Sequence, residues 1–288
     1  MKGLGIDVIV CAKNREKPMA NVLRQITNEI PVENLIVIYG TSSDRTRETA
    51  LKYTEKVYWD EDEGLSAARN LGIRKSSSEI VAMIDTDVIL PKGWYQKLIR
   101  HFDDNKVAAA TGTCIFGYGC TPLQKWWEHF GSLGQVTWGC HNVMFRRKTI
   151  LSIGNFDKRI KGAGEDYDVY KRILEAGFKW VWDKEVVVHH PMNALEHLKH
   201  NMWWAKGVNS LNDEKPFSLG QFFFRIVFMI KGNMENVTIH PILSLYLPFI
   251  DVIWLLTDFK TRCSRQKQQR IKSPVLLSDL KGLMTTWL

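Results

Sequence analysis

Short apolar runs alternate with helix-period segments over the first 110 residues, and this rhythm restricts the fold more than any other feature. Ile6–Cys11, Leu35–Tyr39, Val57–Trp59 and Ile80–Ile84 are rich in β-branched or aromatic side chains and leave through polar residues. Runs of this kind fit strands of a parallel sheet buried on both faces. Between the first two, Met19, Val22, Leu23 and Ile26 recur at helical spacing, and Pro31 follows. Ser43-Asp44 offers an N-cap for a second helix running to about Glu55, and Leu65–Ser76 supplies a third. Strands alternating with helices at this pace predict βαβ units and an α/β sheet.

Open sheets of this class bind ligands beyond the carboxyl ends of their strands. The fourth strand ends there in Asp85-Thr86-Asp87. Two other Asp-x-Asp pairs occur, Asp60/Asp62 and Asp166/Asp168, and a chain with 31 acidic residues makes such pairs by chance. Context separates them, because only Asp85/Asp87 leaves a buried strand in the middle of the pattern. Two carboxylates at that place can hold a hard divalent cation and the sugar end of a diphosphate ligand. The plainer alternative is a strand-end turn with solvated acids.

From residue 112 glycine and aromatic residues dominate to about 140, and His141–Phe145 reads as a further strand. Lys161-Gly162-Ala163-Gly164 opens a helix at Glu165-Asp166 that ends before Gly177. Phe178–Trp182 and Val186–Val188 then lead to His189-His190-Pro191.

The net charge of +8 on its own suggests nucleic acid or an anionic membrane surface. Its distribution is uneven. Residues 1–198 hold 27 basic against 25 acidic residues, and residues 199–288 hold 12 against 6. The tail carries two apolar segments, Phe217–Ile230 and Ile242–Thr257, each shorter than the roughly 20 residues a spanning helix needs. Lys260–Lys272 then has six basic residues and no acidic one. Apolar helices followed by a polybasic stretch predict an interfacial or short membrane anchor facing anionic cytoplasmic lipid. A soluble helical appendage or homodimerisation arm is the alternative. The expected division is a catalytic domain over 1–200 and a helical tail over 201–288. Acidic strand ends and apolar tail segments argue against nucleic acid as the partner. The five cysteines show no Cys-x-x-Cys spacing, which disfavours a zinc knuckle or redox dithiol and fits a reduced compartment; Cys114–Cys120 is the pair to watch for a disulfide.

Read together, Glu63-Gly64-Leu65-Ser66-Ala67-Ala68-Arg69-Asn70-Leu71-Gly72 and Ile80–Asp87 resemble family 2 glycosyltransferases of the GT-A fold. In that family a Gly-x-x-x-Ala-Arg-Asn helix precedes a strand ending in Asp-x-Asp. The resemblance continues through Gly139–Arg146, Ile153-Gly154-Asn155-Phe156-Asp157, Gly164-Glu165-Asp166-Tyr167-Asp168 and Val187-Val188-His189, covering roughly residues 5–195 in order. It implies a Rossmann-like, mostly parallel sheet flanked by helices, to which the hydrophobic tail is appended.

The resemblance also implies a chemistry. A nucleoside diphosphate leaving group gains negative charge, so a divalent metal, Mn2+ or Mg2+, lowers the barrier as a Lewis acid. Asp87 and His189 are the implied metal ligands, with His190 a rival and Asp85 nearer the ribose or sugar. Arg69 is a phosphate partner or a solvated helix arginine, and Asn14, Tyr39 and Glu63 lie beside the nucleotide sugar. The acceptor hydroxyl must lose a proton as it attacks. The family's base carries over to Asp166, with Glu165, Asp168, Trp138, His141 and Trp204 around the acceptor. Acids in a first helical turn also stabilise the helix dipole whatever the function.

Two departures refine this. The family's Asp-Asp-Gly-Ser-like turn is replaced by Tyr39-Gly40-Thr41-Ser42-Ser43-Asp44, so the usual base-reading carboxylate is missing, and Tyr39 either stacks on the base or packs in the core. Processive synthases carry Gln-x-x-Arg-Trp, whereas His200-Asn201-Met202-Trp203-Trp204 keeps only the last tryptophan, which favours single-sugar transfer. The expectation is an inverting transferase at the cytoplasmic membrane face acting in lipid-linked (N-glycan-type) assembly. It would move a hexose, with GDP-mannose favoured over UDP-glucose or UDP-N-acetylglucosamine. Its acceptor is a polyprenyl-linked saccharide, or else a polyprenyl phosphate. A non-catalytic, membrane-tethered nucleotide-sugar-binding protein is the alternative of another class. A dinucleotide-dependent oxidoreductase is disfavoured, because Cys11–Pro18 contains no glycine.

Overall fold

The computed structural model describes residues 5–116, 138–160, 162–193, 195–196, 198–200, 202–203, 252–253 and 256. The described elements, in chain order, are β1 (Ile6–Ala12), α1 (Glu16–Glu29), β2 (Val32–Tyr39), α2 (Thr46–Leu51), β3 (Val57–Trp59), α3 (Leu65–Lys75) and β4 (Ile80–Ile84). They continue with α4 (Trp94–Ile99), a 3-10 turn (Arg100–Asp103), β5 (Val107–Phe116), β6 (Asn142–Arg146), α5 (Arg147–Ser152), α6 (Glu165–Glu175) and β7 (Lys179–His190). Seven strands form one sheet in the order β3-β2-β1-β4-β6-β5-β7. β1 pairs in parallel with β2 and β4, and β2 with β3, as the alternation predicts. β6 runs antiparallel to both β4 and β5, and β7 runs parallel to β5. The result is a mixed, mostly parallel sheet flanked by helices, as the resemblance implies.

Both faces of the central strands are buried, and this explains their apolar runs, which only Asp7 of β1 interrupts. On one face Val8, Val10, Val37 and Ala82 meet Leu23 and Ile26 of α1 and Trp94 and Leu98 of α4. On the other, Ile9, Ile36, Ile38 and Val81 meet Ile73 of α3 and Ile173 of α6, with Phe145 and Phe156 between them.

Two boundaries differ from the sequence expectation. α2 stops at Leu51 rather than near Glu55, because Thr54 turns back: its Oγ1 donates to the Leu35 carbonyl at 2.8 Å and leads the chain into β3. The runs Phe178–Trp182 and Val186–Val188 are one strand with a bulge, since Gly112 pairs with Asp183 and the next residue, Thr113, with Val187. Asp183 anchors that bulge, accepting from Arg100 Nη2 (3.0 Å) and the Glu185 amide (3.0 Å) and contacting His101 Nε2 at 2.8 Å.

The chain divides into two units, Met1–His200 and Asn201–Leu288, and the sheet lies in the first. Among the described residues no helix is long and apolar enough to cross a membrane. Phe217–Ile230, most of Ile242–Thr257, Lys260–Lys272, Cys120 and Trp204 lie outside the described residues. Cys11, Cys114 and Cys140 are free thiols.

α3 approaches β1 closely through Gly72, where an added Cβ would stand 2.4 Å from Ile9 Cγ2. Ile9 is β-branched and fully packed, so it cannot move aside. Gly72→Ala is therefore expected to destabilise the domain by about 1–3 kcal/mol through overpacking. Thermal unfolding checks this: the melting temperature should fall by about 2 °C or more, and an unchanged value contradicts the packing.

Candidate active site

The polar residues gather where β1, β2, β4 and β7 end. Past β4 the Asp85 amide donates to the His141 carbonyl at 3.1 Å, so the Asp-Thr-Asp segment leaves the sheet under control of β6. Two residues after Asp87, Ile89 meets the end of β7. Its amide donates to the His189 carbonyl (2.7 Å), and the His189 amide donates back (3.1 Å). This clamp brings the two chain segments together, and His190 Nε2 lies 3.2 Å from Asp87 Oδ1.

The imidazole at Asp87 is thus that of His190, which is 5% exposed, and not that of His189. The bulge at Asp183 explains the difference. Val181 before it and Val186 and Val188 after it all pack on the α1 side of the sheet, so the bulge exchanges odd for even positions. Neighbouring strand residues face opposite ways, and His190 shares the parity of Val188. Asp85, Asp87 and His190 can each offer a ligand atom, all within 4.8 Å of one another. Two carboxylates and one imidazole suit Mn2+ well and Mg2+ acceptably.

Arg69 occupies a different place from the one expected. It is 5% exposed, its Nη1 bonds Glu165 Oε1, and its Nη2 stands 3.7 Å from Asp85 Oδ1. It is neither solvated nor open to a phosphate; it links two carboxylates beneath the site. The rest of the α3 motif fastens the same region. Asn70 Nδ2 donates to the Phe156 carbonyl (2.8 Å), its Oδ1 accepts from the Phe156 amide (2.9 Å), and Ser66 Oγ donates to the Ile160 carbonyl (3.1 Å).

Beyond that segment, Gly164 takes φ +107°, a left-handed conformation that favours glycine, and α6 begins. Its first turn carries Glu165, buried, and Asp166, half-buried, whose Oδ1 accepts from the Tyr167 amide at 2.8 Å. Burial, and then the negative charge of Glu165, push the Asp166 carboxyl up to about 7. Asp85 is raised to about 6, by burial against the opposing charge of Arg69 and with the help of Asp87. Burial also acts to raise Asp87, but the hydrogen bond and charge of His190 outweigh it and hold this carboxyl below its usual range. Within one site, one carboxylate is held ionised and another is tuned to neutral pH.

The remaining expected residues divide. Asp168 is bound to Arg172, whose Nη1 and Nη2 also donate to the Ile153 and Asn155 carbonyls (2.6 Å each), so it braces the loop and is not free to meet an acceptor. Glu63 pairs at the surface with Lys158 (2.7 Å). Asn14, at φ +54°, joins two turns: its Oδ1 accepts from the Ser43 amide (2.7 Å) and its own amide donates to Ser42 Oγ (3.0 Å). His141 is buried and pushed down to about 3, by burial first and then by the nearby cations His190 and Arg69, so it is neutral. Trp138 packs on Tyr167 and Tyr170, with centroids at 5.3 and 5.7 Å.

Tyr39 is no core residue. It lines a cavity of about 300 Å³ at the end of β2, together with Trp59, Arg47 and Asp44. The Arg47 guanidinium sits 6.0 Å from the Tyr39 ring. Trp59, 51% exposed, is the register partner of Tyr39, a relation implicit in the two strand-end aromatics but not drawn from the sequence. Arg15 was missed as well. Its Nη2 lies 3.5 Å from Asp87 Oδ2, and no motif marks it.

Comparison with known proteins identifies the family and the fold. A family model described as Glycosyl transferase family 2 matches residues 7–166. The pre-mycofactocin glycosyltransferase of Mycobacterium tuberculosis is 28% identical over 150 residues, which span 47% of this chain and 32% of that protein. The chain thus covers about a third of that relative's length. The glucosyl-dolichyl phosphate glucuronosyltransferase of Haloferax volcanii is 26% identical in an alignment of 291 positions that covers 85% of this chain and 92% of that protein. The fold is similar to that of glucosyl-3-phosphoglycerate synthase from Mycobacterium tuberculosis, solved with Mn2+, uridine diphosphate and phosphoglyceric acid. That match has a TM-score of 0.56 at 19% identity and covers 75% of this chain and 81% of that one. With the family model spanning more than half of its residues, the chain belongs to glycosyl transferase family 2.

Proposed function

We propose that the protein is a metal-dependent, inverting glycosyltransferase that moves a single hexose from a nucleotide sugar to a saccharide carried on a polyprenyl lipid. The observation that carries this reading is the placement of Asp85, Asp87 and His190 at the sheet's carboxyl edge, with Asp166 on the neighbouring helix start. A divalent cation bound by those three residues supplies Lewis-acid neutralisation of the departing diphosphate. The chain's own residues do the rest. Asp166 accepts the proton of the acceptor hydroxyl as its oxygen forms the new bond to the anomeric carbon. The bond from that carbon to the diphosphate breaks on the opposite side, so a single displacement inverts the configuration. A base with its carboxyl raised to about 7 is well matched to this task near neutral pH.

Tyr39 and Trp59 supply aromatic faces for the nucleobase at the end of β2. GDP-mannose remains the favoured donor on resemblance. For the acceptor, Trp138, Tyr167 and Tyr170 form an aromatic ledge beside Asp166, and Tyr167 is 43% exposed. Such a ledge suits the apolar face of a sugar ring better than a bare lipid phosphate. The relative named for glucosyl-dolichyl phosphate supports a sugar already attached to lipid as acceptor. The apolar and polybasic segments after residue 216 support action at the cytoplasmic membrane face.

The founding experiment is a turnover and thermal-shift screen of GDP-mannose, UDP-glucose and UDP-N-acetylglucosamine with and without Mn2+ or Mg2+. One donor should bind and turn over only with metal, and indifference to all of them overturns the reading. With that donor, Asp166→Asn should lower kcat by about 10²–10⁴-fold with little change in donor KM. It should not weaken the fold. The folded-state carboxyl titrates at about 7 and the unfolded one near 3.8, so ionisation increasingly penalises the folded state as pH rises between those values. Asp166→Asn is therefore expected to raise the melting temperature more at pH 8 than at pH 4.

In the wild type, kcat/KM should climb with pH and level off above about 7, as Asp166 loses its proton. A rate independent of pH between 5 and 8 would remove Asp166 from the base role. Tyr167→Ala should raise KM for a saccharide-bearing acceptor about three- to tenfold, leave metal-dependent donor hydrolysis unchanged, and be rescued by Tyr167→Trp. An unaltered acceptor KM contradicts the ledge.

A further inference from the structure

Among the described residues, Asp87 forms ion-pair contacts with two basic groups of different kinds, while His200 acts on it from farther off. His190 is buried and its Nε2 stands 3.2 Å away, as a co-ligand in the proposed metal set. Arg15 reaches Asp87 Oδ2 from the turn after β1 at 3.5 Å, and its side chain is 45% exposed. Charge-assisted hydrogen bonds close to about 2.7–2.9 Å, so this contact is loose. The Arg15 backbone, by contrast, is fixed: its amide donates to Thr46 Oγ1 at 2.8 Å, and the Glu16 amide donates to Asp44 Oδ2 at 3.0 Å.

The other basic groups described around these strand ends stand in different places, Arg47 at the β2 end against the Tyr39 ring in the aromatic cavity. Lys13 is held by Asp62 (2.8 Å), Arg45 by Glu16 (2.7 Å), and Arg69 is buried between Glu165 and Asp85. Arg15 therefore combines an anchored backbone with a reachable, weakly held guanidinium. It lies on the β1 end, between the aromatic cavity at β2 and the carboxylates at β4, because β1 separates those strands in the sheet. A nucleotide sugar with its base at Tyr39 and its diphosphate at Asp87 must cross that end.

We propose that Arg15 is the diphosphate-binding cation of the donor site, and that it exchanges Asp87 for the donor's diphosphate when a divalent metal occupies the carboxylates. The inference rests on the glycosyltransferase reading above. Its physical basis is charge. With no metal bound, the guanidinium offsets the repulsion between Asp85 and Asp87. A dication on the same carboxylate repels it, and a diphosphate beside the dication attracts it. A forked guanidinium suits a phosphate better than a point charge does.

Calorimetry separates the outcomes, titrating Mn2+ alone and then UDP or GDP in the presence of Mn2+. Arg15→Ala should weaken binding of the preferred nucleoside diphosphate about tenfold while Mn2+ alone binds at least as tightly as to the wild type. Arg15→Lys should recover part of the loss. Unchanged nucleotide affinity in Arg15→Ala overturns the proposal, as does a parallel fall in Mn2+ affinity and melting temperature, which would make Arg15 a mere support for the carboxylates. A wild-type protein that binds neither UDP nor GDP with Mn2+ overturns the glycosyltransferase reading itself, and Arg15 with it.

Discussion

Arg69 sits beneath the site with its guanidinium between Glu165 of α6 and Asp85 at the end of β4, and the arrangement above it depends on that contact. Burial works against the charged form of this arginine, and Glu165 more than restores it. Removing the positive charge leaves the buried Glu165 uncompensated, which in comparable cases costs about 3–5 kcal/mol. The same cation keeps Asp85 from rising further and lets Glu165 lie buried next to Asp166. Glu165 in turn contributes to the raised pKa of Asp166. One helix residue therefore connects the metal-site carboxylates to the proposed base.

The first four strands and the three helices between them were legible because the central strands are buried on both faces and, apart from Asp7 in β1, read as apolar runs, whereas α4 and β5 were not read from the sequence. The significance of Asp85-Thr86-Asp87 was legible for the same reason, since it closes the most apolar of those strands. The Ala-Arg-Asn signature was legible as a pattern but not as chemistry. Its asparagine holds the Phe156 backbone, and its arginine holds the buried Glu165, where a phosphate contact or a solvated arginine was expected. Those partners lie more than 80 residues away in sequence, and spacing within a helix carries no information about them.

The choice between His189 and His190 shows the limit most clearly. Both end the same strand, and only parity separates them. Parity is reset by the bulge anchored at Asp183, through contacts to Arg100 and His101 from a different part of the chain. Asp168 shows a related limit, because its partner Arg172 lies one helical turn on and also grips the Ile153 and Asn155 carbonyls. The net charge, which at first suggested nucleic acid, divides into a near-neutral sheet domain rich in functional acids and a basic remainder.

The central claim is that Asp85, Asp87 and His190 form one metal-binding set at the sheet edge. Electron spin-echo spectroscopy of bound Mn2+ tests it directly, because a coordinated imidazole imprints nitrogen modulation on the signal. Nitrogen modulation is expected in the wild type and in His189→Ala, and its loss in His190→Ala. Modulation that survives in His190→Ala, or disappears in His189→Ala, contradicts it.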